Sequence, residues 1–185
     1  MELLLVVVVG LGVVVYLSYN RIIAAHNRVQ RAWSDVLTYE RQAIRVLDML
    51  EPKVAGFQEY ESQLLTQIVE LRTAISRLPS MADGAALTPV DQGAKALLGG
   101  LDVAFEAYPE LKSAELMNGL LREVAEQQGN VGAAITLFNL NVENFNNSLQ
   151  LFPGSLVNQI TLKKSPVTPF SDSQASASFE YKPNF

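Results

Sequence analysis

The feature that most constrains the fold is a seven-residue periodicity of apolar residues in three separate stretches of the chain. We call each such line of apolar positions a seam. The first seam advances by alternate steps of four and three residues from Ile22 to Leu50, and the second runs from Val54 to Leu78. The third runs from Met117 to Phe152, which is 36 residues or roughly 54 Å of helix. Such spacing is typical of long α-helices packed side by side. The pattern therefore predicts an all-α fold.

Prolines and small residues separate these stretches and indicate one further helix. Pro52 suits the first turn of the second helix, and residues 78–87 have the composition of a loop. Thr88 is a suitable N-cap and Pro89 fits a first turn, so a shorter helix is predicted over residues 89–107. The total is four helices in an antiparallel bundle.

An apolar stretch precedes the first seam and runs without a charge from Leu3 to Leu17. Extended from Met1 to Tyr19 it has 19 residues, which is at the low end of what spans a bilayer. Tyr16 and Tyr19 suit the membrane interface, and Arg21 can snorkel to the headgroups. The residues predicted to form this transmembrane anchor include Leu3, Val9, Val15, Tyr16 and Tyr19.

A cleaved signal peptide is the alternative to an anchor. It requires a basic start and a small-residue cleavage site, and neither Met1-Glu2 nor the sequence VYLSYN supplies them. The anchor and the first seam are expected to form one continuous helix from residue 2 to about 50. Arg21, Arg28 and Arg31 follow the span and none precedes it, which favours a cytoplasmic body over a periplasmic or extracellular one.

Composition excludes several functional classes. The net charge of −5 offers no basic surface for nucleic acid, and the absence of cysteine removes disulfides and thiolate chemistry. The lone histidine, His26, lies on the first seam, where a packing role is expected. Glu123 and Glu126 share a helix face, and a solvated face is favoured over a metal site because no Glu-x-x-His motif accompanies them. No cofactor, metal site or catalytic residue is predicted.

Five asparagines crowd the stretch from Asn139 to Asn147, within the third seam. Asn139 and Asn146 lie seven residues apart on one edge of the apolar stripe. We expect them to hydrogen-bond to neighbouring helices and fix their register. A ligand or partner site built from amides, and a solvated surface, are the alternatives.

Three leucines lie on the back of the same helix, away from its seam: Leu137, Leu140 and Leu151. Either another helix of the bundle covers them or another copy of the protein does. The sequence after Phe152 loses the periodicity. The predicted organisation is thus a transmembrane anchor over residues 1–19, the bundle over 20–152 and a short irregular tail over 153–185.

Four short motifs occur in order between about residues 16 and 160. The first comprises Tyr19, Asn20, Asn27, Val29, Ala32, Trp33, Ser34 and Asp35, and the second Gly56, Phe57 and Glu61. The third comprises Leu97, Leu101, Glu106, Ala107, Tyr108, Pro109, Leu111 and Lys112. The fourth comprises Phe138-Asn139, Phe145-Asn146, Phe152-Pro153 and Leu156-Val157. Together they resemble the LemA family of bacterial membrane-anchored helical proteins, although RQAIRVLDML has only Arg41 where the family carries an arginine pair and a proline.

The resemblance implies four helices behind an N-terminal membrane helix, in the bacterial inner membrane. Residues expected to serve helix packing or interaction are Trp33, Phe57, Glu106, Tyr108, Phe138, Asn139, Phe145, Asn146 and Phe152. Leu137, Leu140 and Leu151 are the expected oligomer contacts.

The expected function is that of a membrane-anchored helical scaffold or interaction protein without enzymatic activity. It would self-associate into a homo-oligomer or dock another membrane protein. The alternative is a membrane-tethered ligand-binding or sensory module, with amides and Glu106 facing a cavity between helices. An unrecognised membrane-associated hydrolase is the least favoured hypothesis.

Overall fold

The computed structural model describes residues 1–54, 57, 60–109 and 115–172, without the side chains of 115–118. Its four main helices are α1 (Glu2–Val54), α2 (Glu61–Ser76), α3 (Thr88–Ala107) and α4 (Glu115–Gln150). Shorter helical elements are a 3-10 turn (Gly84–Leu87), a short helix α5 (Gly154–Val157) and a π-helical turn (Asn158–Leu162). The described residues contain no strand, and the predicted all-α fold is confirmed.

The predicted anchor and the first seam form one uninterrupted helix of 53 residues, as expected. Pro52 was expected in the first turn of the second helix, and this is wrong: it lies in the last turn of α1. A proline there removes only one helical hydrogen bond, so the helix continues to Val54, which is fully buried. The second helix, α2, begins only at Glu61.

Helices α1 and α4 run antiparallel, with aromatic pairs marking their register. The rings of Trp33 and Phe138 lie 5.2 Å apart, and those of His26 and Phe145 lie 5.3 Å apart. Moving seven residues toward the N-terminus of α1 therefore corresponds to moving seven residues toward the C-terminus of α4. The end of α4 consequently lies at the height of Tyr19.

Helix α2 folds back along α1, and α3 returns beside α2. Trp33 Nε1 donates a 2.9 Å hydrogen bond to the carbonyl of Pro79, which follows α2. Farther from the N-terminal segment, Arg72 of α2 forms 2.7 Å ion pairs with Asp48 and Glu51 of α1. The bundle is thus antiparallel throughout.

The core has two layers because α2 and α3 are much shorter than α1 and α4. The distal layer contains residues of α1 beyond Leu47 together with the inner faces of α2 and α3. The layer nearer the N-terminal segment contains only α1 from Ile22 to Leu37 and α4 from Ala134 to Leu149, with Leu87 and Val157. Two helices alone leave the sides of this layer open to solvent.

The chain closes that layer with its own C-terminal segment. After the π-helical turn, residues 163–172 run without regular secondary structure along α4, and we call this segment the strap. Val167 and Phe170 pack against the core layer. Within the tail that was expected to be irregular, residues 154–162 are helical, and the strap is irregular in backbone but is fixed by specific contacts.

Other boundary predictions differ in detail. Thr88 is the first residue of α3 rather than its cap, and Asp83 caps the preceding 3-10 turn by accepting a hydrogen bond from the backbone N–H of Ala85. The predicted loop over 78–87 is therefore helical in its last four residues. The third seam was expected to extend to Phe152, but α4 ends at Gln150 and Phe152 is 82% exposed, so its predicted packing in the chain's own core is wrong.

Candidate functional site

The side-chain amides of two asparagines on α4 hold the strap. Asn146 donates from Nδ2 to the carbonyl of Val167 and accepts at Oδ1 from the N–H of Val167, each at 2.9 Å. Asn139 makes the same pair of bonds with Phe170, at 2.8 and 2.9 Å. Each amide therefore satisfies one main-chain donor and one acceptor, as a neighbouring strand would.

The expectation that Asn139 and Asn146 bond to neighbouring helices is wrong. Among the described residues, α1 is the only long helix beside α4 at their height, because the buried side chains of α2 and α3 lie in the distal layer. Their edge of the stripe faces the strap, whose backbone lacks helical hydrogen bonds and requires partners. The seven-residue spacing of the two asparagines remains decisive, since it places both amides on one line along α4.

Their neighbours in the sequence behave differently. Asn141 and Asn144 donate to the carbonyls of Leu137 and Leu140 in their own helix, and Asn147 is exposed. A surface groove beside the strap is lined in part by Asn139, Asn146 and Asn147. It offers little free amide capacity, because the first two side chains are already bonded to the strap.

Three further sets of contacts hold the strap along its length. The N–H of Gly84 donates to the carbonyl of Thr168 at 2.9 Å, and Lys95 bridges Asp91 and Asp172, each at 2.9 Å. At its start, the Asn158 amide bonds to both the N–H and the carbonyl of Lys164. The strap therefore ties α4, the 3-10 turn and α3 together.

A cavity of about 380 Å³ lies between the helices where the two core layers meet. Helices α3 and α4 make little direct contact among the described residues, and the cavity occupies the gap between them. Its wall is mainly aliphatic, and Phe170 of the strap lies at one side. A space of this size is within the range of small-molecule sites in proteins.

One buried carboxyl group faces this cavity. Glu40 of α1 is only 5% exposed, and no hydrogen bond to its carboxylate is found among the described residues. Burial raises the pKa of Glu40 to about 7, with a smaller contribution from the negative charge of Asp91. An uncompensated buried carboxylate is costly, so the group is poised to bind a proton or a cation.

Polar groups near Glu40 are already engaged with the protein. Gln127 donates from Nε2 to the carbonyl of Tyr39, and Asp91 is paired with Lys95. The hydrogen bonds that Lys95 donates to Asp91 and to Asp172 raise the pKa of Lys95. Lys95 is therefore directed to the other two carboxylates, and Glu40 is the acidic group left facing the open space.

The residues predicted for packing or interaction fall into two groups. Trp33, Phe57, Phe138 and Phe145 are fully buried, and Tyr108 is half-buried with edge contacts to the rings of Phe57 and Tyr60. Glu106 is exposed and does not line the cavity, which contradicts its expected position facing a site between helices.

The three predicted leucines face solvent, with Leu137 and Leu140 on the back of α4 and Leu151 directly after its last residue. Leu137, Leu140 and Leu151 are 58%, 53% and 64% exposed, and no described part of the chain covers them. Of the two coverings expected from the sequence, a further helix of the same bundle is not found among the described residues.

The N-terminal part of α1 has the character of a membrane span. It contains a window of 18 residues with mean hydropathy 2.3, none of it buried against the protein. The predicted anchor residues Leu3, Val9, Val15, Tyr16 and Tyr19 are all exposed. A helix this apolar and uncovered is compatible with a lipid environment.

Sequence reasoning missed Glu40 and the strap. Glu40 occupied an apolar position of the first seam, and a charged residue at such a position is the available signal for a functional or buried titratable group. The strap carries no periodicity. No group of three or more histidine, aspartate or glutamate side chains able to hold a metal occurs among the described residues.

Comparison with known proteins adds two findings. A family model described as the LemA family matches residues 32–179, which include the strap and most of the bundle. Protein LemA of Metamycoplasma hominis is 25% identical over 153 residues, covering 81% of this chain and 68% of that protein.

Proposed function

The chain belongs to the LemA family, and on that premise we propose that it is a membrane-anchored helical interaction protein that self-associates through the back of α4. The role is one of binding rather than catalysis. Its site is the bacterial inner membrane, where the first turns of α1 form a single-pass anchor.

The observation that carries the proposal is the exposed leucine pair on a well-supported helix. Leu137 and Leu140 project from α4 opposite its buried seam and are more than half exposed. Because the other face of α4 is held by α1 and by the strap, this leucine face is rigid. Exposed apolar side chains on a rigid helix are favourable contacts for a second copy related by two-fold symmetry.

Charge near the anchor supports a cytoplasmic body. Arg21, Arg28 and Arg31 follow the span in sequence within 12 residues of Tyr19, and none precedes it. An excess of positive side chains within about 20 residues of a span favours the cytoplasmic side.

Disulfide trapping in membranes tests the self-association directly. The chain has no cysteine, so Leu140→Cys introduces a single thiol at the proposed contact. Mild oxidation is expected to give a covalent dimer of full-length protein. Ser34→Cys, which is exposed on α1 at a similar height, is the control and is expected to remain monomeric. Equal, low crosslinking of both variants would contradict the contact.

A second function, ligand binding, is favoured by the cavity at the junction of the core layers. Its apolar wall and the single unpaired carboxyl of Glu40 suit a small molecule with an apolar body and one cationic group. The proposed ligand site is therefore the space between α3 and α4 and not the amides of Asn139 and Asn146, which are bonded to the strap. The two functions are compatible, because the cavity and the leucine face lie on different sides of α4.

A further inference from the structure

The base of the bundle carries an exposed apolar cluster beside the anchor. Immediately after α4, the side chains of Leu151, Phe152, Leu156 and Ile160 are 64%, 82%, 50% and 68% exposed. Leu156 and Ile160 are one helical turn apart on α5 and the π-helical turn. We call these four residues and the adjacent Lys163 and Lys164 the foot.

The height of the foot follows from the register of α1 and α4. Trp33 pairs with Phe138 and His26 with Phe145. One further seven-residue step brings Phe152 to the level of Tyr19, where the uncharged stretch ends. A contact between α1 and the following turn agrees with this, because an added Cβ on Gly154 would lie 3.8 Å from Ile22 Cδ1. The foot is therefore level with the end of the anchor.

The two lysines have a fixed position within the foot. Lys163 adopts a left-handed backbone conformation with φ of 49°, and its N–H donates to the carbonyl of Asn158 at 2.7 Å. The Asn158 side chain holds Lys164 by two hydrogen bonds. A non-glycine residue in this conformation requires such support. The turn thus places two positive charges beside the exposed apolar side chains.

The charge of this end differs in sign from that of the whole chain. The protein carries a net charge of −5, yet Arg21, Arg28, Lys163 and Lys164 collect at the foot and the neighbouring turns of α1. Burial of the imidazole, together with the nearby charge of Lys164, lowers the pKa of His26. Positive side chains beside exposed aromatic and aliphatic ones are typical of surfaces that rest in a membrane interface.

We propose that the foot is a second membrane contact, which inserts Phe152, Leu156 and Ile160 into the interface of the bilayer that holds α1, with Lys163 and Lys164 on anionic headgroups. The inference rests on the proposed anchoring by α1. Two attachment points prevent the bundle from tilting about the single helix. They also fix the rotation of the bundle about α1, and they leave Leu137 and Leu140, about three turns or more along α4 from Phe152, free for another copy.

Depth measurement by spin labels tests the foot in the full-length protein. Single cysteines at Phe152 and Ile160 are labelled in lipid nanodiscs that hold one copy each, so that a second copy cannot shield them. Val9→Cys in the anchor and Val103→Cys on α3 are the lipid and water references. We expect labels at 152 and 160 to collide more with oxygen than with an aqueous nickel chelate, as at Val9, and the reverse at Val103.

The outcomes separate the foot from the anchor. If labels at 152 and 160 have the same accessibility to oxygen and nickel chelate as the label at 103, while the label at 9 lies in lipid, the membrane contact of the foot is overturned and the anchoring by α1 stands. If Val9 also matches Val103, the proposed anchoring itself fails. In discs containing anionic lipid, Lys163→Gln with Lys164→Gln is expected to shift the label at 160 toward water, with less change in neutral discs. If the label at 160 lies at the same depth with and without the two lysine substitutions, in both anionic and neutral discs, the role of the lysines is overturned.

Discussion

The side-chain amide of Asn146 makes two hydrogen bonds with the main chain of Val167, one as donor and one as acceptor, each 2.9 Å long. Asn139 repeats the arrangement with Phe170, two helical turns away. This pair of contacts explains why a helix tolerates so many asparagines. Two of them replace the missing third and fourth helices of one core layer by holding an extended segment in place.

Removal of the Asn146 amide is expected to loosen the strap. Asn146→Ala leaves the N–H and carbonyl of Val167 without partners, which costs about 1–3 kcal/mol of unfolding free energy where these groups stay shielded from water. Hydrogen exchange at the Val167 amide is expected to accelerate. Asn147→Ala, at an exposed neighbouring position, is the control and is expected to change stability by less than about 0.5 kcal/mol. Equal exchange in the two variants would show that the strap is held by other contacts.

A close approach of the backbone at Gly84 gives a second way to displace the strap. A Cβ added to Gly84 would overlap the backbone of Pro169 and Phe170, which cannot move aside as a flexible side chain can. Gly84→Ala is therefore expected to lower the melting temperature and to accelerate exchange at Phe170. Gly99→Ala, whose added Cβ meets nothing within 4 Å, is expected to be neutral or to stabilise α3 by up to about 1 kcal/mol. The reverse order of stabilities would contradict the close packing at Gly84.

Glu40 is expected to make stability depend on pH. Burial raises its pKa to about 7 in the folded state from the ordinary glutamate value of 4.5, so the folded protein binds more protons than the unfolded chain between these pH values. The free energy of unfolding must then fall as pH rises from about 4.5 to about 7 and level off above that.

The variant Glu40→Gln isolates this contribution, because it removes the Glu40 carboxyl and leaves every other titratable group in place. It is expected to be more stable than the natural chain by about 1–3 kcal/mol at pH 8 and equal to it near pH 4, since one pKa unit corresponds to about 1.4 kcal/mol. Denaturant titrations at the two pH values measure the difference. Glu126→Gln, at an exposed site on α4, serves as control. A difference between Glu40→Gln and the natural chain that does not change with pH would contradict a raised pKa.

The cavity is expected to distinguish ligands by charge. Octylammonium should raise the melting temperature of the protein in nanodiscs at pH 8, and octanoate should not, because only the amine can pair with the Glu40 carboxylate. Glu40→Gln should abolish the preference for the amine. Gly132→Leu, which fills space at the cavity wall, should abolish stabilisation by either molecule. Equal stabilisation of the natural chain, Glu40→Gln and Gly132→Leu by octylammonium would place binding in the lipid rather than in the cavity.

Seven-residue patterning predicted most of the helical architecture, because packing between long helices depends on local periodicity. The continuity of α1, the buried positions of Trp33, Phe138 and Phe145, and the start of α3 near Pro89 follow from spacing and composition alone. These are features in which each residue's neighbours along the chain decide its environment.

What the sequence did not predict depends on contacts between distant segments. The strap has no periodicity, and its course is set by main-chain bonds to Asn139 and Asn146, whose spacing places them on one line of α4 but does not identify their partner. The cavity arises because α3 and α4 stay apart, and helix separation leaves no local pattern. Phe152 fits the seam by spacing, yet it lies beyond the last turn of α4 and faces outward.

The mass of the full-length protein in detergent, measured by light scattering, tests the central claim most directly. The account predicts a particle holding two or more copies, and a single copy for the double variant Leu137→Glu with Leu140→Glu. Both positions are exposed, so the variant should retain the fluorescence of buried Trp33. A natural chain that is already a single copy, or equal masses for the two proteins, would contradict self-association through the back of α4.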